Sequence, residues 1–189
     1  MVDGRAEHRP NRLLLIGMMG SGKTTVGHLA AQRLGWPHLD SDAEVEAATG
    51  HTVPEIFRND GEDAFRVAER AALVRSLEIE PVVVSVAGGA VLDPDNRRLI
   101  RRSGTVVWLR AEVETLADRV GDGAGRPLLD GDTEQALAEL DAVRRLLYAQ
   151  LADAVVDVDD KSPEQVAAAA LSALDGGALD GGALDGGGS

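Results

Sequence analysis

A chain of 189 residues has room for one domain of ordinary size. Hydrophobic residues make up 44% of it and aromatic ones only 3%, so any core must be built from Ala, Val and Leu. A net charge of -13 argues against non-specific nucleic-acid binding and docking on an anionic membrane, and the lack of cysteine excludes disulfides and thiolate metal sites.

Residues 1–12 read as a polar, flexible arm with no long apolar run. No signal peptide is expected, and no stretch reaches the ~18 apolar residues of a membrane span. The expected location is the cytoplasm, with no nucleic-acid or membrane partner and a monomeric state. Leu13–Ile16 is a short continuous apolar run followed by Gly, the pattern of a strand buried in a parallel sheet. Helical spacing follows over Thr24–Leu34, with Val26, Leu29, Ala30 and Leu34 on one side. His38–Asp40 predicts a second, short strand. Residues 42–76 read as mostly helical, with breaks near Gly50 and Gly61. Val82–Val86 is a β-branched strand ending at Gly88-Gly89. Asp93–Arg102 predicts a helix, Thr105–Leu109 a strand and Glu112–Val120 a helix. Gly121–Asp132 is a Gly- and Asp-rich loop, Thr133–Leu151 a long amphipathic helix, Ala154–Asp157 a last strand and Pro163–Leu174 a last helix. Residues 175–189 repeat Ala-Leu-Asp-Gly-Gly and read as a low-complexity tail or linker. Strands alternating with helices imply an α/β fold, a parallel sheet covered by helices on both faces.

The segment Gly17-Met18-Met19-Gly20-Ser21-Gly22-Lys23-Thr24 fits the phosphate-binding pattern G-x-x-x-x-G-K-[ST] between a predicted strand and a predicted helix. Its glycines let successive backbone N–H groups turn toward phosphate oxygens, and the helix start adds the positive end of its dipole. Lys23 can reach the β- and γ-phosphates of a nucleotide, and the Thr24 hydroxyl can ligate Mg²⁺. Only two lysines occur among the 19 basic residues, and one of them stands here, where a compact ammonium suits phosphate better than a guanidinium. Directly after the second strand come Asp40 and Asp42, at the carboxyl edge where open α/β sheets gather ligands. One could serve the Mg²⁺ shell and the other a substrate hydroxyl. The plainer alternative is a helix cap made by Ser41 or Asp42.

These residues, with several others, resemble the shikimate kinases. The phosphate loop continued through Thr25-Val26-Gly27 resembles the opening of that family. So do Leu39-Asp40-Ser41-Asp42 with Glu46, Ile56-Phe57, and Asp60-Gly61-Glu62-Asp63-Ala64-Phe65-Arg66 with Glu69. Ala87-Gly88-Gly89-Ala90-Val91 is similar to the family's glycine loop, Arg126-Pro127-Leu128-Leu129 to its lid motif, and Arg144 with Leu147-Tyr148 to its arginine segment. The resemblance covers residues 13–174 and implies a three-layer P-loop fold. That fold has a five-stranded parallel sheet, a mobile lid at about 121–132 and a small helical substrate-binding subdomain. It implies transfer of phosphate from ATP, with Mg²⁺, to the 3-hydroxyl of shikimate on the way to aromatic amino acids. By the same resemblance Gly20, Ser21, Gly22, Lys23, Thr24 and Thr25 hold the nucleotide, and Arg119 and residues 157–163 stand where the family places the base. Thr24 and Asp40 serve the metal, and Lys23, Asp42 and Arg126 are catalytic. Asp42, Arg66, Gly88, Gly89 and Arg144 bind the substrate. Guanidinium forks suit a carboxylate, and a lid arginine can supply charge to the transferring phosphoryl group.

Each assignment has a simpler counterpart. Arg66 follows Glu62 by four residues and Arg144-Arg145 follows Asp141, both patterns of surface ion pairs. Arg126 could be solvated, Gly88-Gly89 a simple turn, and Phe57 and Phe65 core. The four histidines lack metal-ligand spacing, and the basic run Arg97–Arg102 lacks interleaved aromatics. Two positions depart from the family: Ala87 stands for its first loop glycine and Leu146 for a common Pro, so the last long helix should run on unbroken. The competing readings are a gluconate-type kinase of the same fold and a nucleotide-binding regulatory module.

Overall fold

The computed structural model describes residues 11–121 and 132–175. Most of the expected arm, the expected lid with Arg126, and the tail lie outside the described residues. Five strands form one sheet: β1 (Arg12–Ile16), β2 (His38–Asp40), β3 (Val82–Ser85), β4 (Thr105–Arg110) and β5 (Ala154–Asp157). All neighbours are parallel, in the order β2-β3-β1-β4-β5. The central strands are covered on both faces, and Leu13, Leu14, Leu15, Val82, Val83, Val84, Val106 and Val107 have no exposed surface. Such strands carry uninterrupted apolar runs because neither face meets water.

The helices are α1 (Lys23–Leu34), α2 (Ser41–Thr49), α3 (Val53–Asn59), α4 (Gly61–Ser76), α5 (Pro94–Ser103), α6 (Val113–Val120), α7 (Thr133–Leu151) and α8 (Pro163–Leu174). α1 packs on α8, and α5 on α7. With right-handed crossovers the reversal of strand order at β1 puts these pairs on opposite faces. Their starts follow local chemistry. Thr52 with Glu55, and Ser162 with Gln165, each make a reciprocal capping box, and Pro54 and Pro163 occupy the first turns. The predicted breaks fall where expected, with Gly50 ending α2 and Gly61 opening α4. α7 runs unbroken through Leu146, which points to solvent.

A second small core, Val45, Ile56, Phe65 and Ala72, joins α2, α3 and α4 apart from the main one. This is the helical subdomain, and it stands beside β2 and β3. Three local readings need correction. The first strand begins at Arg12, whose guanidinium bonds the carbonyl of Ile79 and pairs with Glu80. β3 ends at Ser85, although the Val86 N–H still donates to Leu15. A single 3-10 turn over Ala90–Leu92, not foreseen in the sequence, links β3 to α5. Among the described residues no helix is long and apolar enough to cross a membrane.

Candidate active site

β1 delivers the chain to a loop that turns back into α1. Gly22 caps α1 at φ 90°, a left-handed conformation that side chains avoid, and so leaves the first helical amides open. Lys23 Nζ donates to the carbonyls of Gly17 and Met18, each at 2.9 Å, and lies over the loop. The Ser21 hydroxyl is buried and has no hydrogen-bond partner among the described residues. It belongs to a loop whose geometry suits an anion.

Across the sheet edge, Asp40 ends β2. One of its oxygens accepts the Asp42 N–H at 3.1 Å, and the other accepts the Thr24 hydroxyl at 2.6 Å. The cap of α2 is therefore Asp40 and not Ser41 or Asp42. Ser41, which composition alone left with no other role, is buried and accepts the Ala87 N–H at 2.7 Å. Asp42 is exposed at the cavity, although many protein atoms crowd round its carboxyl. Desolvation first, then the charge of Asp40, raise its carboxyl above the usual aspartate value, while Lys23 and Arg66 oppose the shift.

Arg66 makes the anticipated pair with Glu62 at 2.8 Å, but it is only half of the arrangement. On its other side Nη1 meets the buried carboxylate of Glu69 at 3.0 Å. The two acids hold the guanidinium at the cavity wall, beside Gly89. Arg144 and Arg145 separate cleanly. Arg145 takes Asp141 at 2.7 Å, whereas Arg144 is 2% exposed and turns inward, so the surface reading fails for it. Phe57 and Phe65 stand 4.8 Å apart as ring neighbours; Phe65 belongs to the small core, and both also line the cavity.

That cavity, about 590 Å³, collects Gly20, Gly22, Lys23, Thr24, Thr25, Asp40, Asp42, Arg66, Gly88, Gly89, Arg119 and Arg144 on one surface. A neighbouring space of about 310 Å³ adds Ser21 and continues between Arg119, Lys161 and Pro163. Arg119 is fastened there by a bond to the Val158 carbonyl at 2.9 Å. Every predicted site residue lines one of the two spaces except Arg126, which lies outside the described residues. His38 bonds the Ser85 hydroxyl at 2.9 Å, and burial lowers its pKa.

Comparison with known proteins places this arrangement. The family described as shikimate kinase matches residues 19–175. The chain is 42% identical to a shikimate kinase of Ruegeria pomeroyi over 92% of its own length and 89% of the relative's. It is 46% identical to one from Symbiobacterium thermophilum over 86% and 95%. Among solved structures, a shikimate kinase from Acinetobacter baumannii in complex with shikimate superposes with a TM-score of 0.86 at 35% identity, covering 92% of this chain and 97% of that one. A gluconokinase from Sinorhizobium meliloti reaches a TM-score of 0.59 at 23% identity, a likeness of fold alone. The extent of these matches, over the residues that build the cavity, shows that the chain belongs to the shikimate kinase family.

Proposed function

We propose that the chain moves the γ-phosphoryl group of ATP onto the 3-hydroxyl of shikimate inside the larger cavity. The observation that carries this reading is convergence. Lys23, Arg66 and Arg144 face one space in a molecule of net charge -13, beside the carboxylate of Asp42. A cationic pocket in an anionic protein selects small anions at a chosen point.

Arg66 and Arg144 bind the substrate carboxylate, because guanidiniums offer it paired, charge-assisted hydrogen bonds. Gly88 and Gly89 add backbone amides. Asp42 accepts the proton of the attacking hydroxyl as the new O–P bond forms and the bond from the γ-phosphorus to the bridging oxygen breaks, releasing ADP. Lys23 and the loop amides of Gly20 to Thr24, with Thr25, hold the phosphates, and Arg119 borders the base. Arg126 supplies further positive charge to the transferring group.

A divalent magnesium ion fits the residues present. The Thr24 hydroxyl and an Asp40 carboxylate oxygen stand 2.6 Å apart, two hard oxygen donors at the phosphate loop. Among the described residues no cluster of three or more ligating side chains occurs, so the phosphates and water would complete the shell. The ion would neutralise charge on the phosphate oxygens. A coupled assay of ADP release across shikimate, gluconate and nucleoside monophosphates tests the reading. Turnover with shikimate alone is expected, and turnover with gluconate alone would overturn it.

A further inference from the structure

Tyr148 belongs to none of these roles, yet its hydroxyl stands beside two of the groups that carry them. The side chain is fully buried, with its ring centre 5.8 Å from that of Trp108. Its hydroxyl donates to the Gly88 carbonyl at 2.8 Å. Arg144, one helical turn earlier on α7, crowds the same glycine: a β-carbon built on Gly88 would meet the Tyr148 hydroxyl at 3.3 Å and Arg144 Nη1 at 3.5 Å. Burial raises the hydroxyl above the usual tyrosine range, so it remains a donor at any working pH.

The Gly88 carbonyl shares a peptide plane with the Gly89 N–H. In a trans peptide these two groups point in opposite directions. Aiming the carbonyl at Tyr148 therefore turns the Gly89 N–H away from α7. The preceding plane is fixed differently, since the Ala87 carbonyl accepts the Ala90 N–H at 3.0 Å within the main chain. The Gly88–Gly89 plane lies between two residues without β-carbons, the condition in which a peptide rotates most easily. Its direction thus depends on a side chain.

We propose that Tyr148 is a positioning residue for shikimate: its hydroxyl sets the direction of the Gly89 amide and seats the Arg144 guanidinium. This rests on the shikimate reading above and deepens it. Tyr148 itself touches no reacting atom.

The test is Tyr148→Phe, which removes one oxygen and keeps the packed ring. Losing that hydroxyl is expected to raise both the shikimate KM and the calorimetric shikimate Kd about tenfold. kcat and the ATP KM are expected to stay within about twofold of the wild type, with little change in Tm. Trp108→Phe disturbs the same ring contact but keeps the hydroxyl, and should leave the shikimate KM within about twofold. A wild-type shikimate Kd in Tyr148→Phe would overturn the proposal. So would a parallel rise in the ATP constants, or an equal rise in Trp108→Phe. Wild-type protein that fails to turn over shikimate would instead sink the underlying reading.

Discussion

The Arg66 guanidinium occupies the space where a side chain on Gly89 would begin: a β-carbon built there would collide with Nη1. Gly89 has φ -82°, a value open to any residue, so the glycine is required by its neighbour and not by its backbone. Gly89→Ala is expected to displace the guanidinium. The shikimate KM should rise about tenfold or more, in line with overpacking costs of ~1–3 kcal/mol. The ATP KM should hold. Steady-state kinetics with each substrate varied in turn decides the point, and equal changes in both constants would contradict it.

Asp42 is expected to matter to transfer and not to nucleotide binding. Asp42→Asn keeps the shape of the turn and removes the proton acceptor. Turnover should fall roughly 10²- to 10⁴-fold, the usual contribution of general base catalysis. ATP affinity, measured by calorimetry, should be nearly unchanged. Parallel losses of binding and turnover would place Asp42 in the nucleotide site.

Ser41 ties the acidic turn to the loop after β3 through the Ala87 N–H. Ser41→Ala leaves that buried donor unpaired, a cost of about 1–3 kcal/mol in unfolding free energy. Because Ser41 lies between Asp40 and Asp42, kcat/KM for shikimate should fall with it. Urea denaturation together with kinetics separates two cases: lost stability at unchanged kcat/KM would make the serine a packing group only.

How much could be read without the fold is clearest at such tethers. The strands were legible because burial on both faces demands unbroken apolar runs, as in Val82–Val86. The phosphate loop and the acidic turn were legible because their chemistry fixes residue types at fixed spacing. Asp141 precedes both Arg144 and Arg145, so spacing alone does not say which of them it pairs; the fold gives it to Arg145 and turns Arg144 inward. By contrast, the partners of Ser41 and Tyr148 are main-chain groups 46 and 60 positions away. A backbone amide or carbonyl is the same in every residue type, so such bonds leave no mark in composition or spacing. The crowding of Arg66 on Gly89 was hidden for the same reason, since it arises only once α4 and the β3 loop meet.

Glu69 gives a pH dependence whose sign can be worked out. Burial raises its carboxyl above the ordinary value of 4.5, and Arg66 only partly opposes this. Between 4.5 and the raised value the folded chain holds a proton that the unfolded chain releases. This group therefore favours folding as pH falls through that window and disfavours it as pH rises. Glu69→Gln removes the titration, while Arg66 keeps Glu62. Whatever the offset at low pH, the stability difference between the two proteins should shift toward the glutamine variant as pH rises to neutrality. Urea midpoints measured at a series of pH values test it, and a difference that does not vary with pH would refute it.

The strand order carries one last implication. The phosphate loop leaves β1, the glycine loop leaves β3 and the acidic turn leaves β2, and in the sheet these strands are adjacent in that sequence. Parallel neighbours lie about 4.8 Å apart, so the roots of the phosphate loop and the acidic turn stand about two such steps apart, a gap that side chains such as Thr24 and Asp40 close. The relative placement of the three loops is thus ruled off by hydrogen-bonded peptide groups, a scale that no exchange of Val for Ile beneath it can stretch. Drift among the aliphatic residues of the interior should leave the chemistry in place, and a slip in the pairing of β3 by one residue should abolish it.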